Sequence, residues 1–218
     1  MRITSGIDGF DRLVEGGIPE HSVVLLTGDV GLGKTIFGLQ FLCTAEEPGV
    51  FVSFEESIEQ LKETAGTFGW DTGRLEREKK LKFVKIDPYR FEDVLDVVEN
   101  SMREVKARRV VLDSISALGV HLRETAELRN TIVQIGAIMR KDKCTALLIS
   151  EKPRDALSRF GMEEFVSDGV VVLQRAAAGS GYRNMLGIYK MRLTNHSKKM
   201  HSYEITEEGV VVGGEEEA

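Results

Sequence analysis

The sequence is short of cysteine, proline and tryptophan, with two, four and one among 218 residues. Cys43 and Cys144 lie 101 positions apart in apolar surroundings. That excludes a disulfide-stapled secreted scaffold and reads as two reduced core residues of a cytoplasmic protein. No stretch approaches the ~18 apolar residues of a membrane span, so no membrane partner is expected. Met1 to Phe10 has no charged-then-apolar signal pattern. No internal repeat or low-complexity linker interrupts the chain. What is present is a globular composition, 42% hydrophobic and 29% charged. A chain of this length buries roughly 70% of its unfolded surface without staples and reads as one domain, residues 1–212, with an acidic tail over 213–218.

One further absence is local. From Gln174 to Tyr203 there is no acidic residue, while Arg175, Arg183, Lys190, Arg192, Lys198 and Lys199 fall there beside His196 and His201. The net charge is −6, so the rest of the chain, with 23 basic and 35 acidic residues, stands at −12. The overall sign argues against a general polyanion binder. The basic segment itself reads either as a solvated strand face or as an anion site, and charge alone weighs these evenly.

Strand and helix patterns alternate over the first ~150 residues. Strands are expected at 22–27, 50–54, 81–86, 109–113 and 145–150. Helices are expected after Lys34, over 57–67 with a Ser57/Gln60 capping box, over 91–107 and over 124–141. Strands 170–174, 186–193 and 200–205 then follow with no helix between them. The alternation implies an α/β fold, a three-layer α/β/α sandwich around a mainly parallel sheet, with antiparallel C-terminal strands added at one edge.

The strongest motif is Gly28-Asp29-Val30-Gly31-Leu32-Gly33-Lys34-Thr35, which fits G-x-x-x-x-G-K-[ST] between a strand and a helix that opens with Ile36. Glycines let backbone N–H groups wrap phosphate oxygens, and the helix points its positive end at the same anion. Lys34 supplies a mobile charge, and Thr35 a hydroxyl for Mg²⁺. Asp29 inside such a loop would repel phosphate, so its side chain is expected to face solvent. Asp113 closes an apolar strand; alone that pattern is common, but beside a phosphate loop it reads as the partner of Thr35 on the metal. Glu55 and Glu56 end the strand 50–54, at the sheet edge where ligands bind in open parallel sheets. Glu55 reads as the base that orients and deprotonates a water, with Glu56 assisting or structural. Lys190 and Arg192 lie two apart on a strand, hence on one face. Trp70 reads as a packing residue, and His121 has no Cys or His at zinc-ligand spacing.

Six motifs in order resemble the RecA-type ATPases, most closely the single-domain archaeal relatives of KaiC and paralogues of RadA. They are Gly6–Pro19, the phosphate loop, Phe51–Glu56, Thr67–Asp71, Leu112–Leu118 and Lys190–His196, with Tyr203–Val211 after them. The resemblance covers roughly residues 3–212 and implies ATP and Mg²⁺ as cofactors. It implies that Glu55 and Glu56, with Lys34, are catalytic and that Thr67 lies near nucleotide. It implies that Lys190, Met191, Arg192, Thr194 and His196 reach a neighbouring subunit's ATP, and that Thr206 and Glu207 lie near adenine. Val30 and Leu32 depart from the small or Pro residues more common in this loop. Neither a second tandem domain nor a recombinase N-terminal domain is in the sequence, so neither timekeeping nor strand exchange is implied. Three functions follow as expectations: an ATPase working as a homo-oligomeric ring, with the hexamer as the family's example; a RadA paralogue binding single-stranded DNA through the segments 116–127 and 151–169, where Lys152, Arg154, Arg159 and Phe160 lie; and a slowly turning nucleotide switch for a regulatory protein partner.

Overall fold

Strict alternation of side chains across the strands decides where the two halves of the core lie. In the computed structural model, which describes residues 1–45, 47–87, 94–120, 125–153 and 155–213, the central strands are buried on both faces. Phe91, His121, Glu124, Arg154 and residues 214–218, each part of a reading above, lie outside these.

The chain opens with a small antiparallel pair, β1 (Arg2–Ile3) and β2 (Ile18–Pro19), around a 3₁₀ turn at Asp11–Val14. There follow β3 (Val23–Gly28), α1 (Lys34–Cys43), β4 (Gly49–Ser53), α2 (Ile58–Thr67), α3 (Thr72–Arg77), β5 (Leu81–Lys85), α4 (Val94–Val105), β6 (Arg109–Asp113), α5 (Ile115–Val120), α6 (Thr125–Lys141), β7 (Thr145–Glu151), α7 (Glu163–Val166), β8 (Gly169–Ala178), β9 (Gly181–Met191), β10 (Met200–Thr206) and β11 (Gly209–Val212). Nine strands form one sheet in the order β11-β10-β9-β8-β3-β7-β6-β4-β5. β5, β4, β6, β7, β3 and β8 are mutually parallel, and each pairing from β8 to β11 is antiparallel.

Val24, Leu26, Phe51, Val111, Leu147 and Ile149 face one side, where they meet Phe37, Leu39 and Phe41 of α1 and Leu61 and Ala65 of α2. Val23, Leu25, Val50, Val52, Val110, Leu112, Ala146 and Leu148 face the other, against Val98 and Met102 of α4 and Leu128, Ile132, Ile135 and Met139 of α6. Period 2 in the strands and period 3.6 in the helices thus meet across each layer boundary. The N-terminal segment adds Ile3, Ile7, Phe10, Leu13, Val14 and Ile18 to the α1 side. Both cysteines are free, and burial pushes each thiol up to about 12.

The expected antiparallel edge starts one strand later than the sequence suggests. β8 is parallel to β3, as β7 is, and α7 lies in sequence between β7 and β8. Antiparallel pairing begins at β9, which a two-residue turn, Gly179-Ser180, joins to β8. β8 also runs on to Ala178, past the expected end at Gln174.

Candidate functional site

The strand order reverses direction around β3: its chain neighbour β4 lies three places away, beyond β7 and β6. The carboxyl ends of β3, β7, β6 and β4 therefore open onto one crevice, the place where open α/β sheets bind ligands. Its lining includes Lys34, Thr35, Glu55, Glu56, Asp113 and Ser114 around a cleft of about 220 Å³.

Each side of the crevice has a local cause. β3 ends at Gly28, packed so closely on β8 that a Cβ there would lie 2.6 Å from the Leu173 carbonyl oxygen. The loop turns through Gly31 at φ +73° and Gly33 at φ +77°, and Gly33 caps α1. Asp29 and Val30 are exposed, as an acid in this loop requires. Leu32 is fully buried, and its carbonyl accepts a hydrogen bond from the buried Tyr203 hydroxyl at 2.7 Å. The backbone at Leu32 therefore anchors the loop to β10. Ile36 packs partly buried against the α1-side core. Lys34 Nζ donates to the carbonyls of Gly28 and Asp29 at 2.9 and 2.8 Å. Burial lowers its pKa, against the pull of Asp113, Glu151, Asp29 and Glu55.

Opposite the loop, the Thr35 hydroxyl donates to Asp113 Oδ2 at 2.7 Å, with Glu56 Oε1 at 3.5 Å. Glu55 turns the other way: it is exposed, and its Oε2 accepts from Ser114 Oγ at 2.8 Å. The Ala117 N–H in turn donates to Ser114 Oγ at 3.1 Å. The Ser53 hydroxyl donates to the Glu56 carbonyl at 2.7 Å, which shapes the turn between the two glutamates. The Asp113–Ser114 peptide is cis. Burial raises Asp113 to about 6; Thr35 and Lys34 oppose this, while Glu56 and Glu55 add to it. Hydroxyl and carboxylate oxygens gathered this tightly are the hard donor set that Mg²⁺ takes, one or two protein ligands completed by phosphate and water. The residues present thus fit such a cation at Thr35 and Asp113.

Other expected site residues lie elsewhere. Thr67 is exposed at the end of α2, its hydroxyl donating to the Thr64 carbonyl. Trp70 stacks on Phe68 with ring centroids 4.9 Å apart and packs on the core. Thr206 ends β10 and Glu207 opens the turn to β11; beside them in β10, Ile205 comes within 2.6 Å of a Cβ built on Gly33. Lys190, Met191 and Arg192 sit at the opposite end of the sheet, since Met191 pairs with Gly169 at the start of β8. Met191 is buried; Lys190 Nζ donates to the Glu164 and Ser167 carbonyls, and Arg192 pairs with Asp168 at 3.1 Å. The acids missing from this segment come from the β7–β8 connection instead. Thr194 Oγ1 accepts from Arg2, and buried His196 donates from Nδ1 to the Ser197 carbonyl and accepts Lys198 Nζ at Nε2. Within one chain, Lys190, Met191 and Arg192 lie at the far end of the sheet from the phosphate loop, whereas β10 approaches that loop through Ile205. In the segment 151–169, Phe160 packs on the second core and Arg159 pairs with Glu151. Sequence reasoning missed Ser53, Ser114 and Tyr203, whose partners no local pattern marks.

Comparison with known proteins agrees with this geometry. A family model described as ATPase: KaiC matches residues 3–217. A solved KaiC-like protein from the hyperthermophilic archaeon Pyrococcus horikoshii superposes with a TM-score of 0.91 at 37% identity, covering 98% of this chain and 99% of that one. A UPF0273 protein of Thermotoga maritima is 33% identical over 98% of both chains. The circadian clock protein KaiC3 of Synechocystis is 34% identical over 97% of this chain, which spans only 45% of that protein's length. The chain therefore belongs to the KaiC ATPase family, with a RecA-type fold and an ATP-binding phosphate loop.

Proposed function

We propose that this chain hydrolyses ATP in a Mg²⁺-dependent reaction, at a site completed by the next subunit of a homo-oligomeric ring. The observation that carries this reading is the division of labour between the two glutamates. Glu56 leans toward the Thr35–Asp113 pair, while Glu55 is solvent-open and held by Ser114. Thr35 and Asp113 are the residues that would hold Mg²⁺, which supplies charge neutralisation at the β/γ-phosphates. Lys34 exchanges its two loop carbonyls for phosphate oxygens. Glu55 takes the proton of the attacking water, and Ser114 fixes the carboxylate for that transfer. Arg192 and Lys190 lie far from the phosphate loop of their own chain, which suits contact with the nucleotide of a neighbour.

The test is phosphate release and particle size with ATP, ADP or neither. Wild type is expected to release phosphate only with Mg²⁺, and Glu55→Gln to bind ATP yet turn over about 10²–10⁴-fold slower. Full turnover in Glu55→Gln would remove Glu55 as the base. Adding single-stranded DNA at low salt separates the recombinase reading, which requires salt-sensitive binding. Size that follows nucleotide state without appreciable turnover would favour the switch reading instead.

A further inference from the structure

β8 and β9 outlast the sheet. β3 pairs with β8 only as far as Leu173, and β10 pairs with β9 only across Met185–Gly187. Gln174–Ala178 and Gly181–Asn184 therefore continue as a two-stranded ribbon, paired with each other alone. Alternation fixes which side chains look which way. Leu173 and its partner Leu186 lie in the α1-side core. Two residues further on, Arg175 and its partner Asn184 point to that same side. The side in question is the one on which α1 and the phosphate loop sit.

The contacts agree. Arg175 Nη2 donates to the Gly31 carbonyl at 3.3 Å, 144 positions away in sequence, and a Cβ built on Gly31 would lie 3.3 Å from that nitrogen. Arg175 is exposed and, among the described residues, has no carboxylate partner. It stands in the acid-free segment, so no neighbouring charge along its own strand neutralises it. Lys190 and Arg192 lie six and eight positions beyond Asn184, about 20 Å or more along the strand direction. Arg175 thus stands apart from Lys190 and Arg192, and it reaches the phosphate loop of its own chain.

We propose that Arg175 is a second cationic ligand of the nucleotide, acting in cis on the phosphates that the loop holds. A guanidinium carries five donors in a planar fork. One of them holds Gly31 in place, and the rest remain to meet phosphate oxygens beside the loop. Lys34 acts as a point charge from the helix end; Arg175 adds directional hydrogen bonds from the ribbon side. The inference rests on the ATP-binding reading of the loop.

Calorimetric titration of wild type, Arg175→Gln, Arg175→Lys and Lys34→Ala with ATP and with tripolyphosphate tests it. Arg175→Gln is expected to weaken both ligands about tenfold or more, the worth of a charged hydrogen bond. Arg175→Lys should recover part of that loss, and the melting temperature without ligand should stay at the wild-type value. Equal ATP affinity in wild type and Arg175→Gln would overturn the inference. So would a loss for ATP with none for tripolyphosphate, because the contact would then be to sugar or base. A wild-type chain that binds no more ATP than Lys34→Ala would instead sink the underlying reading of the loop.

Discussion

Asp113 carries opposed demands in one carboxyl group. It is half-buried beside two other carboxylates, and the Thr35 hydroxyl and Lys34 favour its charged form. Its folded pKa is raised from 3.8 to about 6. Between those values the native state holds more protons than the unfolded chain, so stability falls as pH rises through the window from about 4 to about 6. Above it the full cost is present, at most about 3 kcal/mol for a shift of this size. Asp113→Asn keeps an acceptor for Thr35 and removes the charge. Urea unfolding at pH 7.5 should show the variant more stable by about 1–3 kcal/mol, with the acid-side gain of the wild type abolished. A less stable variant would mean that the charge is stabilised by the fold. Tyr203 makes a second point at this scale. Its hydroxyl is the donor to the buried Leu32 carbonyl, 171 positions away. Tyr203→Phe should cost about 1–3 kcal/mol in the same assay, because the carbonyl is left buried without that donor. The sequence motif names the residues that wrap phosphate, but the residues that hold the motif in shape come from strands whose approach only the fold determines. That is why Tyr203, Ser53 and Ser114 were not legible in the sequence while Gly28 to Thr35 were.

Among the elements, legibility follows length and periodicity. β3, β4, β6 and β7 are legible because each carries a short apolar run between turn signals, and α4 and α6 because their apolar residues recur at helical spacing. Ser57 and Gln60 form the expected capping box, each side chain bonding the other's backbone N–H at 3.2 and 3.0 Å. Ser57→Ala should lower stability by about 1 kcal/mol, and Gln60→Ala by less, since the first removes the acceptor from an orphan helix N–H. Thermal melting of the two variants checks the order. Short elements escaped: β1, β2, α3, α5 and α7 are two to six residues long, too brief for either period to declare itself. The far half of β8 escaped for another reason. Ala176, Ala177 and Ala178 have little preference for a strand, and the ribbon exists because β9 pairs with them residue by residue.

The phosphate loop lies at the carboxyl edge of the sheet, and Lys190–Arg192 lie at the opposite end. The proposed ring of head-to-tail contacts would bring these two ends together, because a heterologous interface sets one end of each chain against the opposite end of the next. Arg192 is the cleaner probe. It is largely exposed and its pair with Asp168 is a surface ion pair, worth no more than about 1 kcal/mol. Lys190 also caps the last carbonyls around α7, so its loss mixes a local structural effect with any loss at a neighbour's site. Arg192→Ala should keep ATP binding and lose turnover, while Glu55→Gln loses turnover through the base. Neither is active alone if both are needed at each site. Mixed one to one and allowed to exchange, they should regain activity. A site on an Arg192→Ala chain that faces a Glu55→Gln neighbour has an intact base and an intact finger, and about a quarter of the interfaces in a random heterologous ring are of this kind. Phosphate release near that fraction of the wild-type rate is the expected result. Persistent inactivity of the mixture, with exchange verified by size and mass, would place both residues in the service of the same chain and dissolve the case for a site shared between subunits.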